Sequence, residues 1–181
     1  MKPSLILIGL GNPGKEYVGT RHNVGFWGVE YLAEKFGTAE WKPKQKFLAD
    51  ICEGRVVTVP VLLVKPATFM NRSGESIKKI VDFYQLDPAK QILIISDEID
   101  LAPGDARYKE KGGAGTHNGL KSIVEQFGED FPRIRIGVGK QKPSEDLSQY
   151  VLSRIPKEDY GEIEKAVTSL PELVREFTLG S

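Results

Sequence analysis

The sequence predicts an α/β fold, a single domain spanning residues 1–181. Three observations point there. Leu5–Ile8, Val61–Val64 and Ile92–Ile95 are short continuous apolar runs, the pattern of strands buried on both faces of a sheet. Stretches with a helical period follow each of them. A chain of this length can bury about two thirds of its surface around one core.

Composition narrows the class. Apolar residues are 40% and charged residues 28% of the chain, as in an ordinary soluble globule. One cysteine excludes an internal disulfide framework and fits a reducing compartment. Leu5–Ile8 is too short for a signal peptide core, and no stretch approaches the ~20 apolar residues of a membrane span, so neither export nor insertion is expected. There is no internal repeat or low-complexity tract. Net charge is zero, yet residues 105–142 hold eight basic against five acidic side chains, and residues 143–181 hold four against eight. A neutral total can hide a basic face for nucleic acid; solvated charges on strand edges explain the same pattern.

The first strand runs into Gly9-Leu10-Gly11-Asn12-Pro13-Gly14, a turn at the end of the strand where open α/β sheets bind ligands. The glycine spacing imitates a dinucleotide fingerprint, but Lys15–Thr20 has no helical period to offer a helix N-terminus to a pyrophosphate, and no acid ends a second strand ~20 residues on. Val24–Phe36 is a helix by the spacing of Val29, Leu32, Ala33 and Phe36, with Asn23 expected as its N-cap and Gly37 as its stop. His22 then precedes a helix N-terminus, whose dipole is expected to push its pKa down. Trp41–Phe47 reads as a surface connection or a phosphate-contacting loop. Phe47–Cys52 and Arg55–Val59 suit a hairpin turning at Glu53-Gly54, with Cys52 in the core. After Val61–Val64 comes Asn71, and then a helix carrying Ile77, Ile80, Val81 and Tyr84 that Asp87-Pro88 stops; Asn71 could cap it. Ile92–Ile95 ends in Ser96-Asp97-Glu98-Ile99-Asp100. A glycine-rich loop then delivers His117 and Asn118 to a helix with Leu120, Ile123, Val124 and Phe127. Phe131–Gly139 is a strand with Arg133 and Arg135 on one side. From Pro156 onward the chain is helical, with Pro171 expected to kink or split the helix.

Both histidines stand in His-Asn pairs on turns or loops, and three asparagines follow strand ends or loops. Three carboxylates end the third buried run. With two histidines and no cysteine cluster, zinc is a poor fit. Magnesium on Asp97, Glu98 and Asp100, or one Asp orienting an imidazole, both remain open. No G-x-S-x-G elbow is present, and Ser96 is the one serine to test as a nucleophile. A histidine, a carboxylate and several neutral amides suit activation of water against an ester or acyl carbon.

Gly9–Gly14, Thr20-Arg21-His22-Asn23-Val24-Gly25, Lys65–Gly74 with Thr68-Phe69-Met70-Asn71, Asp97–Gly104, and His117-Asn118-Gly119-Leu120-Lys121-Ser122-Ile123 occur in one order. Together these blocks resemble the bacterial peptidyl-tRNA hydrolase family, over residue 5 to about residue 152. The resemblance implies a cytoplasmic monomer, one α/β globule with a twisted, mixed, mostly parallel sheet flanked by helices. It implies hydrolysis of the ester between peptide and tRNA, without a metal or organic cofactor. His22 matches the base, Asp97 its carboxylate partner, and Asn12, Asn71 and Asn118 the amides that hold substrate and water. Tyr17, Met70 and His117 match the cleft lining, Lys109 and Arg135 the grip on tRNA phosphates, and Arg133 a neighbouring alternative. Thr116 and Ser96 depart from the family pattern without removing a catalytic group. Relatives in plant organelles serve as RNA-binding splicing partners, so binding without turnover is the competing expectation.

Overall fold

The structure is a computed structural model and describes residues 1–180. Its strands are β1 (Leu5–Gly9), β2 (Lys42–Lys44), β3 (Ala49–Val56), β4 (Val59–Pro66), β5 (Ile92–Glu98), β6 (Ala106–Lys109) and β7 (Arg133–Gly137). They form one sheet in the order β2-β3-β4-β1-β5-β7-β6. The four central strands are parallel, and the antiparallel pairs lie at the margins. The continuous apolar runs at residues 5–8, 61–64 and 92–95 are therefore the strands that helices cover on both sides.

Alternation along β1 sorts the core. Leu5 and Leu7 face α1 (Val24–Phe36) and the long C-terminal helix Lys157–Leu179, meeting Val29, Leu32, Val167 and Leu170. Ile6 and Ile8 face α2 (Ser73–Tyr84) and the helix Asn118–Phe127, meeting Ile77, Ile80, Leu120 and Ile123. In chain order the remaining helices are α3 (Pro88–Gln91), α4 (Asn118–Phe127), α5 (Leu147–Val151) and α6 (Lys157–Leu179).

Several local expectations change. The hairpin turns at Val57-Thr58, with Val57 at φ 56°, and not at Glu53-Gly54. Gly54 stays inside β3 because the Phe36 carbonyl oxygen lies 2.5 Å from where its Cβ would be, a close approach of chain to strand. Val59 thus lies in the same strand as the Val61–Val64 run, and that strand is the second arm of the hairpin. The Trp41–Phe47 stretch is an edge strand and a 3-10 turn, its lysines exposed. α2 already ends at Tyr84, where Gln85 takes a left-handed φ of 53°; Asp87-Pro88 instead starts α3, the Asp87 side chain accepting from Ala89 N–H at 3.0 Å. α6 continues through a buried Pro171 without splitting. β6 and α5 carried too short a pattern to be read from sequence.

Candidate active site

The turns after β1 and β4 and the last residues of β5 lie at the carboxyl edge of the sheet, bringing Asn12, Asn71 and Asp97. Asn12, in the glycine turn, is buried. Its backbone N–H donates to Asn23 Oδ1 at 2.9 Å, and its carbonyl accepts from Asn23 Nδ2 at 3.0 Å. Its side-chain oxygen accepts from the Met70 backbone N–H at 2.7 Å. That bond settles which way the amide points: the oxygen is spent, and the NH2 group is the donor left for the cleft. Asn23, expected to cap α1, makes no capping bond. It clamps Asn12 instead.

His22 lies in a short 3-10 turn, Arg21–Asn23, directly before α1. Its Nδ1 is 3.0 Å from each Asp97 oxygen. Donation from Nδ1–H leaves the lone pair on Nε2. Asp97 also accepts from His117 Nε2 at 2.8 Å, while His117 Nδ1 accepts the Leu120 N–H at 3.2 Å and so caps α4. Burial pushes the His22 imidazole down, but the Asp97 charge and hydrogen bond outweigh it, so its pKa lies above the ordinary 6.5. This reverses the sequence expectation, because a whole carboxylate charge in contact exceeds the partial charge of a helix end. Burial pushes Asp97 up; His22 and then His117 pull it further down, holding it well below the usual carboxylate range.

A cavity of about 890 Å³ opens on one side of His22, walled by the 113–118 loop, Glu98, Lys109, Arg135 and Lys140. A cleft of about 290 Å³ lies on the other side, lined by Asn12, Tyr17, Phe69, Met70, Asn71 and Leu152. His22, Asn118, Ser148 and Val151 border both. An imidazole that borders two recesses is placed to meet a bond joining two dissimilar halves of a ligand.

Residues 6–180 match the family model described as peptidyl-tRNA hydrolase. The peptidyl-tRNA hydrolase of Alkaliphilus oremlandii is 52% identical over 155 residues, covering 85% of this chain and 82% of that protein. This chain belongs to the peptidyl-tRNA hydrolase family. The peptidyl-tRNA hydrolase of Agathobacter rectalis is 44% identical, covering 90% of this chain and 87% of its own. The crystal structure of peptidyl-tRNA hydrolase from Acinetobacter baumannii aligns with a TM-score of 0.92 at 41% identity, over 99% of this chain and 91% of that one.

Against this family frame, most of the expected residues converge. Asn12, Tyr17, His22, Met70, Asn71 and Asn118 border one cleft, with Asp97 behind His22. Three assignments change. Asn71 does not cap α2, which begins at Ser73; it is exposed at the cleft. His117 lines the larger cavity, but both of its ring nitrogens are spent on protein partners, so it has no hydrogen bond to give a substrate. Arg133 is 1% exposed. Its guanidinium stacks 4.0 Å from the Phe131 ring and donates to the carbonyls of Gly113, Glu129 and Phe131. It ties down the glycine-rich loop at the wall of the larger cavity, its guanidinium engaged by carbonyls. Lys109 has no carboxylate partner among the described residues, and Arg135 has a 3.3 Å contact with Glu98.

The three carboxylates do not converge on one point. Asp97 faces the histidines, Glu98 faces Arg135, and exposed Asp100 lies 4.0 Å from Lys140. His22, Asp97 and His117 do place ligand atoms within 4.8 Å of one another. A metal there would have to displace the ring N–H groups that already bind Asp97. Ser96 is fully buried and its hydroxyl faces neither recess, which removes it as a nucleophile. Sequence reasoning missed Arg21. Buried beside His22, it stacks 4.0 Å over Tyr150 and bonds to Ser153 Oγ and the Tyr150 and Arg154 carbonyls, fastening α5 to the Arg21–Asn23 turn. Nothing local marks such a residue, since its partners lie some 130 positions away.

Proposed function

We propose that this protein cleaves the ester joining a peptide to the terminal ribose of tRNA, with His22 as general base. His22 Nε2 takes a proton from water as the water oxygen attacks the ester carbonyl. The tetrahedral intermediate then collapses, and the same imidazolium returns the proton to the departing ribose oxygen. Asp97 holds the imidazole in the tautomer that exposes Nε2 and stabilises the cation formed. The Asn12 NH2 group, fixed by Met70 and Asn23, is a preorganised donor for water or carbonyl oxygen, and Asn71 and Asn118 add adaptable amides at the rim.

The observation that carries this reading is the His22–Asp97 pair at 3.0 Å, set between two recesses. The peptide is assigned to the cleft with Tyr17, Phe69 and Leu152, and the tRNA end to the recess with Lys109 and Arg135. All these groups come from one chain, which supports action as a monomer; a translation substrate supports the cytoplasm. No observation favours the splicing-partner alternative.

The test is turnover of a purified peptidyl-tRNA. His22→Ala is expected to lose about 10²–10⁴ in kcat/KM, the scale of a general base, while tRNA binding is unchanged. Activity within a few-fold of the parent would remove His22 from that role.

A further inference from the structure

Asp97 has two histidine partners, and the reaction outlined above uses one. The second, His117, is held at both ends. Leu120 N–H occupies its Nδ1 at 3.2 Å, which fixes the ring proton on Nε2, and that proton is directed at Asp97 Oδ1, 2.8 Å away. The two imidazoles lie with centroids 4.8 Å apart and tilted by 52°, converging on the carboxylate from α4 and from the His22 turn. Asp97 is 4% exposed, so little water competes for its lone pairs.

We propose that His117 is a positioning residue for the base: by claiming part of the Asp97 carboxylate, it limits how strongly Asp97 holds His22. The proposal rests on the reading of His22 as the base. A carboxylate that accepts a second strong hydrogen bond is a weaker partner for the first. Removing the His117 bond concentrates the charge of Asp97 on His22 and favours the imidazolium. The base would then be protonated over more of the working pH range. Other charged groups nearby are otherwise engaged. Glu98 on β5 meets Arg135 from β7, Arg133 is bound by carbonyls, and Arg21 turns back onto Tyr150–Arg154. Asp100 sits by Lys140, while Lys109 of β6 and Lys121 of α4 line the cavity wall, with no bond to either histidine or to Asp97 among the described residues. α5 brings no carboxylate or ammonium to this point.

Two conservative variants separate the two bonds of His117. Asn places its oxygen near where Nδ1 sits and can keep the α4 cap, but it does not reach Asp97. Gln can place an N–H near Nε2 and keep the Asp97 bond, but it loses the cap. The chain has only two histidines, so either variant leaves one imidazole to follow by NMR. In His117→Asn the His22 titration is expected to move up by about half a pH unit to one unit, with the rising limb of kcat/KM moving by the same amount. In His117→Gln both are expected to stay at the parent values, while thermal stability falls by a few degrees, about what a lost cap costs. An unmoved His22 titration in His117→Asn overturns the proposal, as does an equal shift in both variants, which would trace to α4. A moved NMR titration with an unmoved rate limb would uphold His117 and reject His22 as the base.

Discussion

On the proposed reading His22 is a base beside a carboxylate that favours its protonated form, and this sets opposite demands on pH. The base must be neutral, so kcat/KM is expected to rise with pH through a value above 6.5 and then level off. Stability runs the other way on that side. A group whose folded pKa is raised contributes fully below its unfolded value and loses that contribution as pH climbs through the folded one. Asp97 is the mirror case: its folded pKa is depressed, so its contribution is full above about pH 4, the unfolded carboxylate value, and fades as pH falls below it. The pair therefore stabilises the fold most between about pH 4 and 6.5. Denaturation midpoints across a pH series, with the rate profile beside them, check both signs. Asp97→Asn is expected to flatten the stability profile at both edges and to cost about 10²–10⁴ in rate, since the amide can hold the wrong tautomer.

Elements place these residues through contacts that only glycine permits. α1 starts so close to the sheet that a Cβ on Gly25 would lie 2.4 Å from the Ile95 carbonyl oxygen and 2.5 Å from that of Leu10. Gly9 faces the Gly25 carbonyl at 2.1 Å in the same sense. Gly25, with Gly9 from the stretch that imitates a nucleotide fingerprint, thus lets a helix approach two strands, and His22 lies at the helix entrance. Gly25→Ala meets backbone on every side, so α1 must lift; a loss of about 3 kcal/mol or more is expected, with activity falling alongside. Gly28 in the same helix faces side chains, Leu170 Cδ1 at 2.9 Å and Ile95 Cγ2 at 3.1 Å. Gly28→Ala is expected to stay within about 1 kcal/mol of the parent, because repacking is offset by the better helix propensity of alanine. Urea denaturation of both variants tests the contrast.

Across the whole molecule, charge is sorted by the fold. In the antiparallel pair of β6 and β7, Arg107 lies opposite Arg135 and Lys109 opposite Arg133. Like charges directly opposite cost stability, and here they share one face of the sheet margin. Arg133 is neutralised by carbonyls and Arg107 by Asp105, at 3.3 Å. Lys109 and Arg135 line the larger cavity together with Lys121 and Lys140, and on the proposed reading Lys109 and Arg135 are the pair that contacts a phosphate. Replacing both with alanine is expected to raise KM for peptidyl-tRNA and to reduce its salt dependence by about one unit of slope per lost contact. Cleavage of a peptide ester on a short nucleotide fragment should hardly change. Equal damage to both substrates would assign these residues to the fold.

Legible in the sequence were the buried strands, the main helices, the placing of Asn12, His22, Asn71, Asp97 and Asn118 at strand ends, turns or loops, and the family. These rest on local signals: apolar period, glycine and proline chemistry, and motif spacing all act within a few residues. Tertiary structure decided which polar groups meet. Asn23 reads as a cap until the Asn12 backbone arrives beside it. Arg133 and Arg135 are two apart on one strand face and both border the cavity, yet packing against Phe131 and three carbonyls makes Arg133 a structural tie, while Arg135 meets Glu98. His117 reads as a cleft residue until Asp97, twenty positions earlier, takes its second nitrogen. A side chain's partner depends on what the rest of the chain packs against it, and no local pattern carries that.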